Sequence, residues 1–404
     1  MAIPNVPRAL MNLTAVKMRH AARELRGVTK AFQRFGRRMQ RQQEILMHAP
    51  THARIRLQRG RGAIIRSRNR LERFDDHVLQ PYRLERRIKR TLARAASSGR
   101  PIVVGPWTSE VGYEALYWVP FLHWVLDHYR IDPHRVVAVS RGGTESWYSG
   151  IAGQYVDVFD CMSAEEFAHE ARIRRERGDQ KQMAASDLDR RLIEAAAERV
   201  GVRDPAVCHP GLMYQLFRAF WYGDRSLQFL LRHADFARTR AALAQSLQQR
   251  PAANCPPLPA EYAAVKFYTG QALPDTPANR DALRRSVERL AARMPVVMLD
   301  TAWTVDEHED YAFDGIPGVT TLRPSLNPRD NLGLQTAVIA GARTFLGTCG
   351  GLAWLAPLLG VDTIAVYEDD RFLTPHLYAA RYAFRYSKAA RFSTLNVKAL
   401  RSMS

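Results

Sequence analysis

The chain reads as an α/β protein of two doubly wound domains facing a cleft, preceded by a basic helical extension. Three observations carry this expectation. From residue 101 onward, short apolar runs alternate with helical stretches of about ten residues, the pattern of parallel sheets flanked by helices. The same alternation occurs on both sides of QRPAANCPPLPA at 249–260, a polar, proline-rich stretch that is the best linker in the chain. Residues 1–100 hold 25 Lys and Arg against six Asp and Glu, whereas the other 304 residues hold 34 of each sign. The net charge of +19 therefore belongs to the N-terminal quarter and needs its own explanation. The expected boundaries are an extension at 1–98, a first domain at 99–250 and a second at 251–404.

Within the extension, Met18, Ala21, Leu25, Val28, Phe32, Phe35 and Met39 recur at steps of three and four, a heptad seam on a helix. Arg19, Arg23, Arg26, Lys30, Arg34, Arg37, Arg38 and Arg41 fill its other faces, and Pro50 ends it. A second basic run, Tyr82 to Ala96, also reads as helix. Attachment to an anionic membrane surface through residues 1–95 ranks first, the apolar stripe lying among headgroups while the cations meet lipid phosphate. Self-association ranks second, because Gly27 and Gly36 weaken coiled-coil packing. A helix packed on the protein's own body is the plain structural alternative. Nucleic acid ranks last, since no recognised motif accompanies the charge.

The elements follow in order. PIVVG (101–105) is a buried strand, and the loop PWTSEVGYE leads into an apolar helix, Ala115 to Tyr129, interrupted or begun at Pro120. RVVAVS (135–140) and QYVDVFD (154–160) are the next strands, followed by polar helices at Ala164–Arg177 and Asp187–Val200. His209 to Leu231 is aromatic-rich, which reads first as core and second as a cleft wall. Past the linker come strands at Tyr262–Tyr268, Val296–Leu299, Val319–Leu322, Thr344–Leu346 and Thr363–Tyr367. Helices at Asn279–Arg293, Asn331–Ala340 and Leu352–Leu359 separate them. Both halves are thus Rossmann-like, with ligands expected at strand carboxyl ends. No uncharged stretch reaches membrane-spanning length, and the start lacks a signal-peptide core, so a cytoplasmic protein is expected. Cys161, Cys208, Cys255 and Cys349 stand far apart with no C-x-x-C, which argues against a zinc site or a redox pair.

The chemistry is sought at strand ends. LGTCGGLAWL places Gly347, Thr348, Gly350 and Gly351 between a strand and a helix, where backbone N–H groups and the helix dipole suit a diphosphate. It is neither a Walker loop nor G-x-G-x-x-G, and glycines there often serve packing alone. Lys266 and Tyr268 end the first strand of this domain, with Lys266 expected to neutralise phosphate charge. The loop after PVVMLD carries Thr301, His308 and a run of acids, suited to a ribose, an acceptor sugar or a metal, though solvated acidic loops are commoner. Asp330 and Asn331 open a helix, as caps or near the nucleotide. Across the cleft, Glu110 is the expected general base and Glu114 the lesser candidate, a helix N-terminal acid. Thr108, Ser109 and, less strongly, His209 are the expected acceptor contacts.

TSEVGYEALYWVPFL resembles the glycine-acid loop and Pro-containing helix that open bacterial lipopolysaccharide heptosyltransferases. FLGTCGGLAWLAPLLGVDTIAVYED is similar to their C-terminal nucleotide-sugar motif. The resemblance covers about residues 101 to 390 and implies a glycosyltransferase of the two-Rossmann (GT-B) class. Heptosyltransferases carry Asp where this chain has Tyr113, Asp-Ser-Gly or similar at Thr348–Gly350, and His at Trp354, so the resemblance extends to the class and not to the heptose. The implied reaction moves a sugar from a nucleotide-diphosphate donor to a cell-surface glycan or lipid-linked acceptor at the inner membrane face. It needs neither metal nor cofactor. A nucleotide-sugar epimerase and a non-catalytic glycan- or nucleotide-binding scaffold are the alternatives, distinguished by product identity and by turnover.

Overall fold

The structure is a computed structural model. It describes residues 80–178, 181–249, 255–301, 308–385 and 390–401, all within the second of the chain's two units, Asp76–Ser404. The heptad seam expected between Met18 and Met39 lies outside the described residues.

The first sheet contains β1 (Ile102–Val104), β2 (Val136–Ser140), β3 (Gln154–Asp157) and β4 (Ala206–Cys208), parallel and in the order β3-β2-β1-β4. The second contains β5 (Ala263–Lys266), β6 (Val296–Met298), β7 (Val319–Thr321), β8 (Thr344–Thr348), β9 (Asp362–Tyr367) and β10 (Phe392–Asn396). These strands are also parallel, in the order β10-β9-β8-β5-β6-β7. In each sheet the chain builds outward on one side of its first strand, then crosses to the other side. That creates a switch point between β1 and β4 and another between β5 and β8. The two-domain α/β architecture read from the sequence is therefore the one observed.

The helices are α1 (Gln80–Ser97), α2 (Val119–Tyr129), α3 (Ala164–Glu176), α4 (Asp187–Arg199), α5 (Gly211–Trp221), α6 (Leu227–Leu231) and α7 (Phe236–Gln249) in the first half. The second half adds α8 (Pro277–Ala291), α9 (Asn331–Gly341), α10 (Gly351–Leu355), α11 (Thr374–Arg385) and α12 (Val397–Arg401). Local chemistry sets their starts. Ser186 and Asp189 form a reciprocal capping box on α4. Thr276 caps α8 ahead of Pro277. Between β1 and α2, one α turn (Val111–Tyr113) passes into a π turn (Glu114–Trp118). Pro120 explains the change of winding, because it has no N–H to give and its ring crowds the carbonyl four residues back.

One packing arrangement differs from the sequence expectation, and a second links the two halves. Helix α1, assigned to the extension, buries Ile88 and Leu92 and packs on α5, α2 and β4. It belongs to the first domain, so this basic run is the packed-helix alternative rather than a free membrane arm. Helix α11 of the second half packs against α5 and α6 of the first as well as on β10. One hydrophobic core joins Leu116, Trp118 and Trp147 with Leu334, Val338, Trp354 and Leu355 across the domains. Polar contacts reinforce the seam. Trp147 donates to Thr336 at 3.0 Å, and Arg329 grips Asp160 at 2.7 and 3.0 Å. Among the described residues no helix is long and apolar enough to cross a membrane.

Candidate active site

A cavity of about 840 Å³ opens where the carboxyl ends of the two sheets face each other. The loop after β1 contributes Thr108, Ser109, Glu110, Gly112 and Tyr113 to one wall. Tyr268, His308, Thr348, Gly350 and Gly351 form the other. Arg174, Lys181, Trp221 and His376 complete the lining. Residues 302–307, the middle of the acidic loop, lie outside the described residues. Among the described residues no group of three or more His, Cys, Asp or Glu is placed to hold a metal ion.

Glu110 stands in extended backbone just before the first helical turn, where its carbonyl accepts the N–H groups of Tyr113 and Glu114 at 3.2 and 3.3 Å. Its charge contributes to raising the phenol values of Tyr113 and Tyr214, after burial. Thr108 and Ser109 reach the cavity but are nearly buried, and their polar atoms hold the loop. The Thr108 hydroxyl accepts from Arg174 at 2.7 Å, its N–H donates to Gln182 at 3.0 Å, and the Ser109 hydroxyl meets Tyr214 at 2.8 Å.

Glu114 does not reach the cavity. The π turn points it inward, where it is fully buried and accepts hydrogen bonds from Ser140 at 2.5 Å and Tyr148 at 2.7 Å. Burial pushes its carboxyl up to about 7, against the lowering pull of those two donors. A residue sealed in the core cannot take a proton from a substrate, so the lesser base candidate is corrected. His209 is corrected likewise. Its Nδ1 accepts the Gly211 N–H at 3.0 Å and its Nε2 lies 3.3 Å from Asp189, which makes it a brace at the start of α5.

On the opposite wall, Thr348 is the pin. Its hydroxyl accepts the Tyr268 N–H at 2.8 Å and donates to the Tyr268 carbonyl at 3.0 Å, fixing the glycine turn to the end of β5. Gly350 has φ +139°, and an added Cβ would collide with the Tyr268 hydroxyl. Gly347 lies beneath the cavity, opposite Lys266 in the β5–β8 ladder, where a Cβ would press on the Lys266 carbonyl 2.5 Å away. His308 donates from Nδ1 to the Thr269 carbonyl (2.8 Å) and lays its ring against Tyr268.

Three expectations for the donor wall change. The Lys266 ammonium is already spent on Asp310 at 2.7 Å and the Leu299 carbonyl at 2.8 Å, outside the cavity lining. Thr301 serves the same carboxylate, through its N–H at 2.7 Å and its hydroxyl at 2.9 Å. Asp330 and Asn331 sit at the start of α9. Asp330 exchanges hydrogen bonds with Asn327 and borders a separate pocket of about 380 Å³ on the domain seam, while Asn331 bonds Gln335.

Sequence reasoning did not single out Arg174, Lys181, Trp221 or His376. Arg174 and Lys181 come from a stretch whose polarity marks no one face. His376 bridges the domains, with its ring nitrogens 2.7 Å from the Tyr117 hydroxyl and 3.1 Å from that of Tyr113. Burial, and then the nearby Lys181 charge, lowers His376 to about 3, so it stays neutral. No pattern in the sequence pairs residue 376 with residues 113 and 117. A signal existed only for Trp221, within the aromatic segment read first as core and second as a cleft wall.

No protein-family model matches the chain, and no curated protein matches it. Among solved structures, E. coli heptosyltransferase WaaC with ADP is similar at 16% identity and a TM-score of 0.37, over 75% of this chain and 98% of that one. The UDP-GlcNAc 2-epimerase from Methanocaldococcus jannaschii is similar at 9% identity and a TM-score of 0.36, over 75% and 90%. A glycosyl transferase family 9 protein from Veillonella parvula is similar at 14% identity and a TM-score of 0.36, over 75% and 88%.

Proposed function

We propose that the protein is a glycosyltransferase that moves a sugar from a nucleotide-diphosphate donor to a glycan or lipid-linked acceptor. One observation carries the reading: a single interdomain cavity holds a carboxylate, Glu110, on one wall and the pinned glycine turn Thr348–Gly351 on the other. The glycine turn lets a diphosphate approach the backbone closely, and Tyr268 and His308 offer aromatic surface beside it. Glu110 takes the proton of the acceptor hydroxyl as its oxygen bonds to the anomeric carbon. The bond from that carbon to the diphosphate oxygen breaks, and the oxygen keeps the electron pair. No metal is required in this scheme. Thr108 and Ser109 shape the acceptor side by holding the loop that carries Glu110. Peripheral attachment at the inner membrane face belongs to the same proposal and now rests on the basic residues before α1.

Glu110→Gln is expected to abolish transfer while binding of a nucleoside diphosphate, followed by thermal shift, survives. Glu114→Gln is expected to keep turnover. Full activity in the Glu110 variant would remove that residue from the role of base.

A further inference from the structure

The cavity lining contains one lysine that the scheme above leaves unused. Lys181 is not among the side chains in any ion pair of the described residues, although it borders the cavity. Its Nζ lies 5.2 Å from the ring centre of Tyr113 and 5.7 Å from that of Trp221. Those two rings meet edge to face at 5.2 Å, and the Tyr113 hydroxyl is held by His376. Aromatic faces attract an ammonium without cancelling its charge, as a carboxylate would. Lys266 shows the contrast, its charge met by Asp310.

The backbone beneath Lys181 is built in. Its neighbour Gln182 is 4% exposed. Gln182 accepts the Thr108 N–H at 3.0 Å and donates to the Pro106 carbonyl at 2.9 Å and to Asp189 at 3.0 Å. The lysine is thereby tied to the same loop that carries Glu110. Gly112 of that loop packs on the turn opposite, where an added Cβ would stand 2.9 Å from the Gly351 nitrogen.

We propose that Lys181 is the counter-cation for the donor diphosphate, supplied by the first domain from the wall facing the glycine turn. This rests on the glycosyltransferase reading and assigns to Lys181 the part that sequence position had given to Lys266. When the anomeric carbon–oxygen bond breaks, the diphosphate oxygen gains the electron pair and the ammonium meets the added negative charge. The leaving group is then gripped by both domains, and its release frees both walls together.

The test uses inorganic pyrophosphate as the probe, in calorimetric titration of the full chain. Wild type is expected to bind it, Lys181→Met to bind at least tenfold more weakly, and Lys181→Arg to keep most of the affinity. The methionine variant should melt, without ligand, as wild type does. Equal pyrophosphate affinity in wild type and Lys181→Met, or no binding by wild type, would overturn the assignment. Unchanged pyrophosphate binding together with a raised KM for an acidic acceptor would overturn it too, moving the anion to the acceptor. Loss of binding in the variant, in a protein that transfers no sugar, would sink the transferase reading and leave the anion site standing.

Discussion

Glu110 and Glu114 lie four residues apart and have opposite fates, because Glu110 precedes the first helical turn whereas Glu114 opens the π turn that follows it. Glu110 stays on the cavity wall, whereas Glu114 faces Ser140 and Tyr148 in the core. That burial makes Glu114 a stability group with a defined pH signature. Its carboxyl titrates near 7 in the fold against an ordinary 4.5. Below about 4.5 the proton is bound in both states and its stabilising contribution is fully present. Between 4.5 and 7 the unfolded chain loses a proton that the fold retains. Stability therefore falls as pH rises through that window, by up to about 3 kcal/mol, and the contribution is gone above it. Glu114→Gln is expected to remove this slope. Urea midpoints of wild type and variant at pH 5 and pH 7.5 check it, and parallel shifts in the two proteins would contradict it.

At the scale of elements, the glycine turn works by close approach. Gly112 and Gly351 bring the first helical turn of one domain against the start of α10 in the other, with Trp354 alongside at 3.2 Å from any added Cβ. Gly112→Ala must push apart backbone that has no room to give, and is expected to cost about 1–3 kcal/mol, read as a lowered urea midpoint. A variant as stable as wild type would show that the turn yields freely. Long, periodic elements such as α2, α8 and α9 were legible from apolar spacing alone. β4 was not, because Ala206–Cys208 is three residues long and carries no alternation. Yet β4 defines the first switch point, and with it the place of the cavity.

The whole molecule behaves as a pair of domains fused by one core. Gly333 donates to the Gly142 carbonyl at 2.8 Å so closely that a Cβ would strike Gly143, and α11 returns to pack on α5 and α6. Both sheets are accordingly expected to unfold together. Hydrogen exchange in rising denaturant should show β1, β2, β5 and β8 losing protection at one concentration, and separate losses would contradict the fused core. Deleting residues 1–79 is expected to leave that transition in place and to remove association with anionic vesicles. Retained vesicle binding would end the membrane reading of the basic segment.

Residue order alone reveals the two α/β halves, the segregation of charge, the loop bearing Glu110 and the glycine turn. These follow from local periodicity, from glycine chemistry and from the rule that ligands meet strand ends. Which charged groups face the cavity is settled by long-range packing. Lys266 and Lys181 are chemically alike, and what separates them is the neighbour each meets after folding, Asp310 in one case and two aromatic rings in the other. Those neighbours lie 44 residues away for Lys266, and 68 and 40 for Lys181, distances over which no pattern in a single chain announces contact.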